Sequence, residues 1–231
     1  MSSPEGVESG DRRAFLSRAR ANAQRDHLEN TAHPLPSGSL ADGLVPIGYR
    51  VLEAADLVGS FVRNATTALL EVHRIPSPLP SDEFLRALIE TEGVRSVVTS
   101  TDPLAISVGD RLRELGCDVS RHTPQGAASA DLGVTSPRWG IAATGSLVQD
   151  SSTEGGRAAS LLPRKHLAIL PTNRIVGTTA DVLTTFKDRA DGMPANVVLI
   201  TGPSRTGDIE MILTIGVHGP VKVVVAVVDV A

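Results

Sequence analysis

At 231 residues the chain is long enough to bury a large core and fits one α/β domain, or such a domain with an appendage. Hydrophobic residues make up 41% but aromatic residues only 3%, so the core must be aliphatic; with so few rings for base stacking and a net charge of −4, a nucleic-acid partner is not expected. The single cysteine, Cys117, excludes an intrachain disulfide framework and an iron-sulfur cluster held by several thiolates of this chain. No apolar run reaches the ~18 residues a membrane helix needs. With the polar start MSSPEGVESGDRR, this predicts a cytoplasmic protein with no membrane span.

Residues 1–50 read as an N-terminal helical arm and a linker, and residues 51–231 as the α/β domain. Within the arm, 11–28 carry a thin apolar stripe of Phe15, Leu16, Ala19 and Ala23 beside Arg12, Arg13, Arg18, Arg20 and Arg25. Such arginines usually form a solvated face; a docking arm for an acidic partner is the second reading. The stretch 30–49, with Pro34, Pro36, Gly38, Gly43, Pro46 and Gly48, has no period and reads as a long connection.

From residue 53 helices and strands alternate. The spacing of Leu57, Phe61 and Ala65 predicts a helix over 53–68, followed by a short strand over 69–73. After Pro76, Pro78 and Pro80, Ser81 is placed to cap a helix whose apolar side is Phe84, Leu85, Leu88 and Ile89. Strand 94–99, helix 104–115 stopped by Gly116, and strand 118–122 follow. This alternation predicts βαβ units: a mostly parallel, Rossmann-like sheet with helices on both faces. Cys117, at a strand start, reads as a buried small hydrophobe. The six histidines show no metal-ligand spacing, so no metal site is predicted.

In the stretch 130–152 a strand ends at Val134-Thr135, Ser136-Pro137 suggests a helix start carrying Trp139 and Ile141, and Ala143-Thr144-Gly145-Ser146 turns into a strand over 147–149. The small residues at 142–146 allow close backbone approach, to a neighbouring element or to a ligand. DSSTEGG, 150–156, reads as a surface loop. Strands over 164–171 and 174–176, a helix from Thr178-Thr179 to about Arg189, and a final run 221–230 apolar enough to be buried on both faces complete the domain.

The stretch LITGPSRTGDIEMILTIGVHGP, 199–220, reads as strand, small-residue turn and helix, with the helix beginning near Thr206. A helix N-terminus suits a phosphate or carboxylate, and Arg205 is placed to fork onto it. Equally, Thr206 is a plain cap with Asp208 and Glu210 complementing the helix dipole. Gly202 and Gly207 have the spacing of a triphosphate-binding loop, but Asp208 and Ile209 stand where that loop needs Lys and Ser/Thr. His218 is either a solvated turn residue or a titratable donor facing the same crevice.

ADLGVT, ATGSLV, RAASLLPRKHLAIL and TGPSRTGDIEMILTIGVHGP, in that order, resemble the lactate utilization protein C family, the LUD domain, over about 50–231. The resemblance implies the architecture shared with glucosamine-6-phosphate deaminase, ribose-5-phosphate isomerase and coenzyme A transferases. It also implies a place in bacterial L-lactate oxidation to pyruvate beside iron-sulfur partner proteins. Gly145 and Ser146 match the family's glycine-threonine turn, and Gly202, Ser204, Arg205, Thr206, Asp208, Glu210, His218 and Gly219 match its C-terminal signature. Ala143 departs from it: the family often has Glu there, and a Glu in a comparable loop is the coenzyme A transferase nucleophile, so that chemistry loses its carboxylate here.

The expected ligand-binding residues are therefore Gly145, Ser146, Gly202, Ser204, Arg205, Thr206, Glu210, His218 and Gly219. Two functions stand side by side. One is an accessory component of lactate oxidation that binds a small anionic metabolite or a protein partner. No cofactor is expected for it, because G-x-G-x-x-G occurs nowhere in the chain. The other is an enzyme or sensor for a phosphorylated or carboxylated metabolite, with Arg205 on the anion, Ser204 and Thr206 donating to it, and His218 or Glu210 moving a proton.

Overall fold

A computed structural model describes residues 56–121, 124–150, 157–187, 194–207, 213–215 and 219–230. The expected N-terminal arm and linker lie outside the described residues. The first described helix, α1 (Leu57–Thr67), starts at Asp56, whose carboxylate accepts from Gly59 N, and buries Phe61 and Ala65 fully. It leads into β1 (Glu71–Ile75). Ser81 caps α2 (Asp82–Glu92) by accepting from Phe84 N, and Gly93 ends it in the left-handed region at φ 60°. Then come β2 (Ser96–Thr99), α3 (Pro103–Glu114), β3 (Asp118–Arg121), α4 (Pro124–Ser129) and β4 (Leu132–Thr135). Short α5 (Ala158–Leu161) precedes β7 (Lys165–Pro171), and β12 (Lys222–Val228) is the last strand.

These six strands form one wholly parallel sheet in the order β1-β12-β7-β4-β2-β3. Strand periodicity divides its side chains between two faces. On the first, Val97, Leu132, Val134, Leu167, Ile169, Val224, Ala226 and Val228 pack with Leu85 and Leu88 of α2 and Ala105, Val108 and Leu112 of α3. On the second, Val223, Val225, Val227, Ala168 and Leu170 pack with α1, while Val98 packs with Ala127 of α4 and Ala159 of α5. The mostly parallel α/β sheet with helices on both faces is thus as its sequence pattern implies. Among the described residues β1 has β12 as its only neighbour in the sheet, Glu71 standing opposite Val224.

A second sheet lies over the second face: β5 (Trp139–Ile141), β6 (Ser146–Asp150), β8 (Ile175–Val176) and β9 (Val197–Ile200), in the order β8-β5-β6-β9. Trp139 and Ile141 therefore sit on a strand, not on the helix expected after Ser136-Pro137. Their two-residue spacing puts both against Val148 of β6, Val182 and Phe186, the last two on α6 (Thr179–Lys187). Gly140 between them faces the other way, where a Cβ would meet Leu170 Cδ2 at 2.7 Å and Phe61 Cε2 at 3.0 Å. The helix expected from Thr206 is also absent: β10 (Arg205–Gly207) pairs antiparallel with β11 (Leu213–Ile215). Thr206, Leu213, Thr214 and Ile215 suit a strand, and Gly207 weakens a helix interior.

Candidate functional site at the carboxyl ends of β2 and β4

Connections leave β2 and β4 in opposite directions, β2 continuing to β3 on one side and β4 by way of the second sheet to β7 on the other. Open α/β sheets take their ligands at the carboxyl end of such a pair. The sheet edge is also stepped there. Thr135 at the end of β4 stands opposite Ala168, while β7 runs on to Pro171, three residues or about 10 Å further at ~3.3 Å per residue. Arg174, on the single 3₁₀ turn after β7, reaches across the step. Its Nη1 donates to Ser136 Oγ at 3.0 Å, to Pro137 O at 3.2 Å and to Asp102 Oδ2 at 3.5 Å.

Asp102 serves two elements: it also caps α3, accepting from Leu104 N at 2.9 Å, with Pro103 in the first turn. On the other side of Pro137, the Arg138 guanidinium lies 4.8 Å above the Trp139 ring, which meets Phe186 edge-on, and 3.9 Å from the fully buried carboxylate of Asp150. Two guanidinium groups thus flank Pro137, each beside one carboxylate. Arg174 makes all three of its bonds through one nitrogen. Among the described residues its Nε and Nη2 edge stays available for a planar two-oxygen acceptor.

Beneath these charges lies a buried neutral layer on the second face. Gln149 Nε2 donates to Thr135 Oγ1, and Thr135 Oγ1 stands 2.8 Å from His166 Nε2. With one lone pair of Thr135 accepting from Gln149, its hydroxyl still has a proton and a second lone pair for His166 Nε2, so either ring nitrogen can carry the imidazole proton. Among the described residues His166 Nδ1 has no partner, nor has the hydroxyl of Ser100, which is 2% exposed. Complete burial lowers the His166 pKa from 6.5 to about 4, so the ring is neutral near pH 7. Among the described residues no group of three or more His, Cys, Asp or Glu side chains is gathered for a metal ion, and no helix is long and apolar enough to cross a membrane.

A family model described as the LUD domain matches residues 58–228. The chain belongs to the LUD domain family. It is 32% identical over 220 residues to a protein called lactate utilization protein C from Halalkalibacterium halodurans, covering 87% of this chain and 96% of that one. A protein of the same name from Bacillus licheniformis is 34% identical over 157 residues; the match takes in 67% of this chain and 62% of that protein's length. The Escherichia coli protein YkgG is 31% identical, covering 74% of this chain and 78% of its own. A crystal structure of a DUF162 family protein from Deinococcus radiodurans superimposes with a TM-score of 0.55 over 77% of this chain and 99% of that one, at 22% identity, and shares the fold.

In this LUD domain the residues expected to bind ligand are placed as follows, where the structure describes them. Gly145, at φ 67°, is pressed onto α1: a Cβ there would meet Ala65 N at 2.1 Å. The neighbouring carbonyls of Ala142 and Ala143 accept from Asn64 Nδ2 of the same helix. Ser146 Oγ is bonded to Thr144 Oγ1 at 2.6 Å and Thr201 Oγ1 at 2.7 Å. Gly202 takes φ 108° in the turn after β9. Ser204 N donates to Pro220 O, and a Cβ on Gly219 would lie 3.3 Å from Ser204 Cβ, which sets both residues at the amino end of β12. Arg205 and Thr206 belong to β10. Glu210 and His218 lie outside the described residues.

Sequence reading passed over Ser100, Asp102, Thr135, Arg138, Gln149, Asp150, His166 and Arg174. One signal was present in KHLAIL: period-2 reading puts His166 inside the sheet, and a buried imidazole needs a partner.

Proposed function

We propose that this LUD domain takes part in bacterial lactate utilization as a cytoplasmic binding component that holds a small carboxylate between the β2 and β4 ends, the redox step being carried by iron-sulfur partner proteins. The observation that carries the site is Arg174, fixed among the described residues through Nη1 alone at the topological switch point, with its other edge facing none of them and suited to a carboxylate. The pathway is supported by relatives called lactate utilization protein C, one of them matched over 96% of its length. A division of labour with partners is supported by the single cysteine, buried at the start of β3, whose thiol pKa is raised by burial and then by Asp131. In this reading the arm between Ser204 and Gly219, rooted at the amino end of β12 and carrying Arg205, Thr206, Glu210 and His218, contacts the protein partner.

Thermal unfolding with L-lactate, pyruvate, phosphate and sugar phosphates tests the binding. A ligand at ~100 times its dissociation constant raises native stability by about 2.7 kcal/mol. The expected result is a higher midpoint with monocarboxylates that disappears in Arg174→Ala. No shift with any of them overturns the site. For the partners, the chain should co-elute with the iron-sulfur lactate-oxidation proteins, and omitting it should slow lactate oxidation; neither happening overturns the pathway. Arg205→Ala tests the arm in the same two assays.

A further inference from the structure

Helices α1, α2 and α3 each run into the amino end of a strand of the parallel sheet, and two of them stop on glycine. Gly93 closes α2 at φ 60° and Gly116 closes α3 at φ 97°, in the left-handed region where a residue without Cβ meets no steric penalty. In α1 a leucine takes that place. Leu69 N donates to Thr66 O and Leu70 N to Ala65 O, the paired bonds of a Schellman ending, and Leu69 stands at φ 68°. Among the described residues it is the one non-glycine at positive φ. The apolar contact of the ending falls to Leu70, which is buried. The Leu69 side chain is 58% exposed and belongs to none of the core clusters, so nothing inside the fold accounts for a leucine where glycine fits better.

A second exposed leucine stands across the sheet. β12 lies between β1 and β7, so the amino ends of β1 and β7 are two strand spacings apart, about 10 Å at ~4.8 Å each. Just before β7, Leu162 is 50% exposed, and Arg164 is exposed with no described residue pairing its guanidinium. The carboxylates nearby are already engaged. Lys222 Nζ holds Glu71 Oε2 at 2.7 Å and Glu92 Oε1 at 2.5 Å, Lys165 Nζ lies 3.7 Å from Glu92 Oε2, and Asp131 accepts from Arg95 N, Ser96 N and Ser96 Oγ. Between the two leucines the arm leaves the sheet: Ser204 N donates to Pro220 O, and a Cβ on Gly219 would lie 3.9 Å from Leu161 O.

We propose that the amino ends of β1, β12 and β7 form the docking face for an acidic partner protein, which lays an apolar side chain on Leu69 and Leu162 and a carboxylate on Arg164. This rests on the reading that the arm contacts a protein partner, and it sets that partner at the end of the sheet opposite the crevice. Covering the two leucines removes apolar surface from water, and the ion pair fixes the register of the contact. Arg164 decides the kind of partner, since a guanidinium that no carboxylate of its own face is free to meet suits an acidic one. A two-fold contact between copies of this chain would bring two such faces together with no free carboxylate on either.

The test is binding of the full chain to the iron-sulfur lactate-oxidation proteins by biolayer interferometry, with thermal unfolding of each variant. Leu69→Gly installs the residue type that ends α2 and α3. It should raise the unfolding midpoint by about 2 °C or more while weakening binding about tenfold, opposite signs that a merely structural leucine would not give. Arg164→Glu should weaken binding about tenfold at an unchanged midpoint, and added salt should weaken the wild type more than this variant. Leu183→Ala, at an exposed leucine on α6, should bind as the wild type does. Should Leu69→Gly lose stability instead, Leu162→Ala decides in its place. Binding unaltered in Arg164→Glu or in the leucine variant, or equally weakened in Leu183→Ala, overturns the docking face and leaves the partner reading standing. Self-association of the wild type that is lost in Leu69→Gly overturns it in favour of a second copy. No binding by the wild type overturns both readings.

Discussion

The two faces of the six-stranded sheet are built from the same strands yet differ in kind. The first, under α2 and α3, is mostly aliphatic from Val97 on β2 to Val228 on β12, with Thr99 as the buried polar residue facing α3. The second begins aliphatic at β12, with Val223, Val225 and Val227, and turns polar toward β2, where His166, Thr135 and Ser100 replace the hydrocarbon. It also carries the glycines that let the second layer approach: a Cβ on Gly133 would lie 1.7 Å from Ala159 O of α5. Burial of hydrocarbon stabilises a fold with little dependence on exact partners, whereas buried polar groups demand particular ones. One face therefore holds the domain together by bulk burial, and the other carries the buried polar groups beside the proposed site.

The comparison is most severely tested on the first face. Leu167→Ala, at a fully buried position, should lower stability by about 4 kcal/mol in denaturant unfolding, within the usual range for a leucine cavity. Its affinity for any ligand of the crevice should be unaltered below the midpoint; a variant that lost affinity instead would put function on both faces.

The second face should show itself through pH. His166 has a folded-state pKa of about 4 against 6.5 for a free histidine, so the unfolded chain takes up a proton in that window and the native chain does not. Stability then falls as pH drops from 6.5 to 4, by about 3 kcal/mol from this residue, since each unit is worth ~1.4 kcal/mol. Denaturant unfolding across that range should show the loss in the wild type and lose that part of the slope in His166→Gln. Equal slopes in the two proteins would mean that the imidazole is not buried neutral.

The smallest effect again belongs to the first face. Ser81→Ala removes the oxygen that accepts from Phe84 N at the start of α2 and should cost about 1 kcal/mol at any pH between 6 and 8. It should leave binding at the crevice untouched.

What could be seen in the sequence follows the range of the interaction involved. Ser81 announces the start of α2 and Gly116 the stop of α3, and the apolar run at 222–228 announces a strand covered on both sides. Trp139–Ile141 is too short for either period to show, and Ser136-Pro137 reads equally well as a helix start or a strand end. Thr206 was a good cap in a stretch where β-branched residues and Gly207 favoured pairing with Leu213–Ile215. The crevice was less legible still. Arg174 meets Asp102 across 72 positions of sequence, and only the strand order brings them together. The glycine at 145 was conspicuous because of its turn, but its freedom is used for contact with α1.

The pairing of β1 with β12 alone has a consequence for how the protein is made. Glu71 meets Val224, 153 residues later (224 − 71), so β1, the first of the described strands, waits for β12, the last of them. At ~5–20 residues per second, that wait is roughly 8 to 30 seconds. Until then β12 is missing from between β1 and β7, and the nascent sheet presents two open edges in place of a finished core. A chaperone that shields strand edges would find its longest-lived substrate here in β1, and a briefer one in β7.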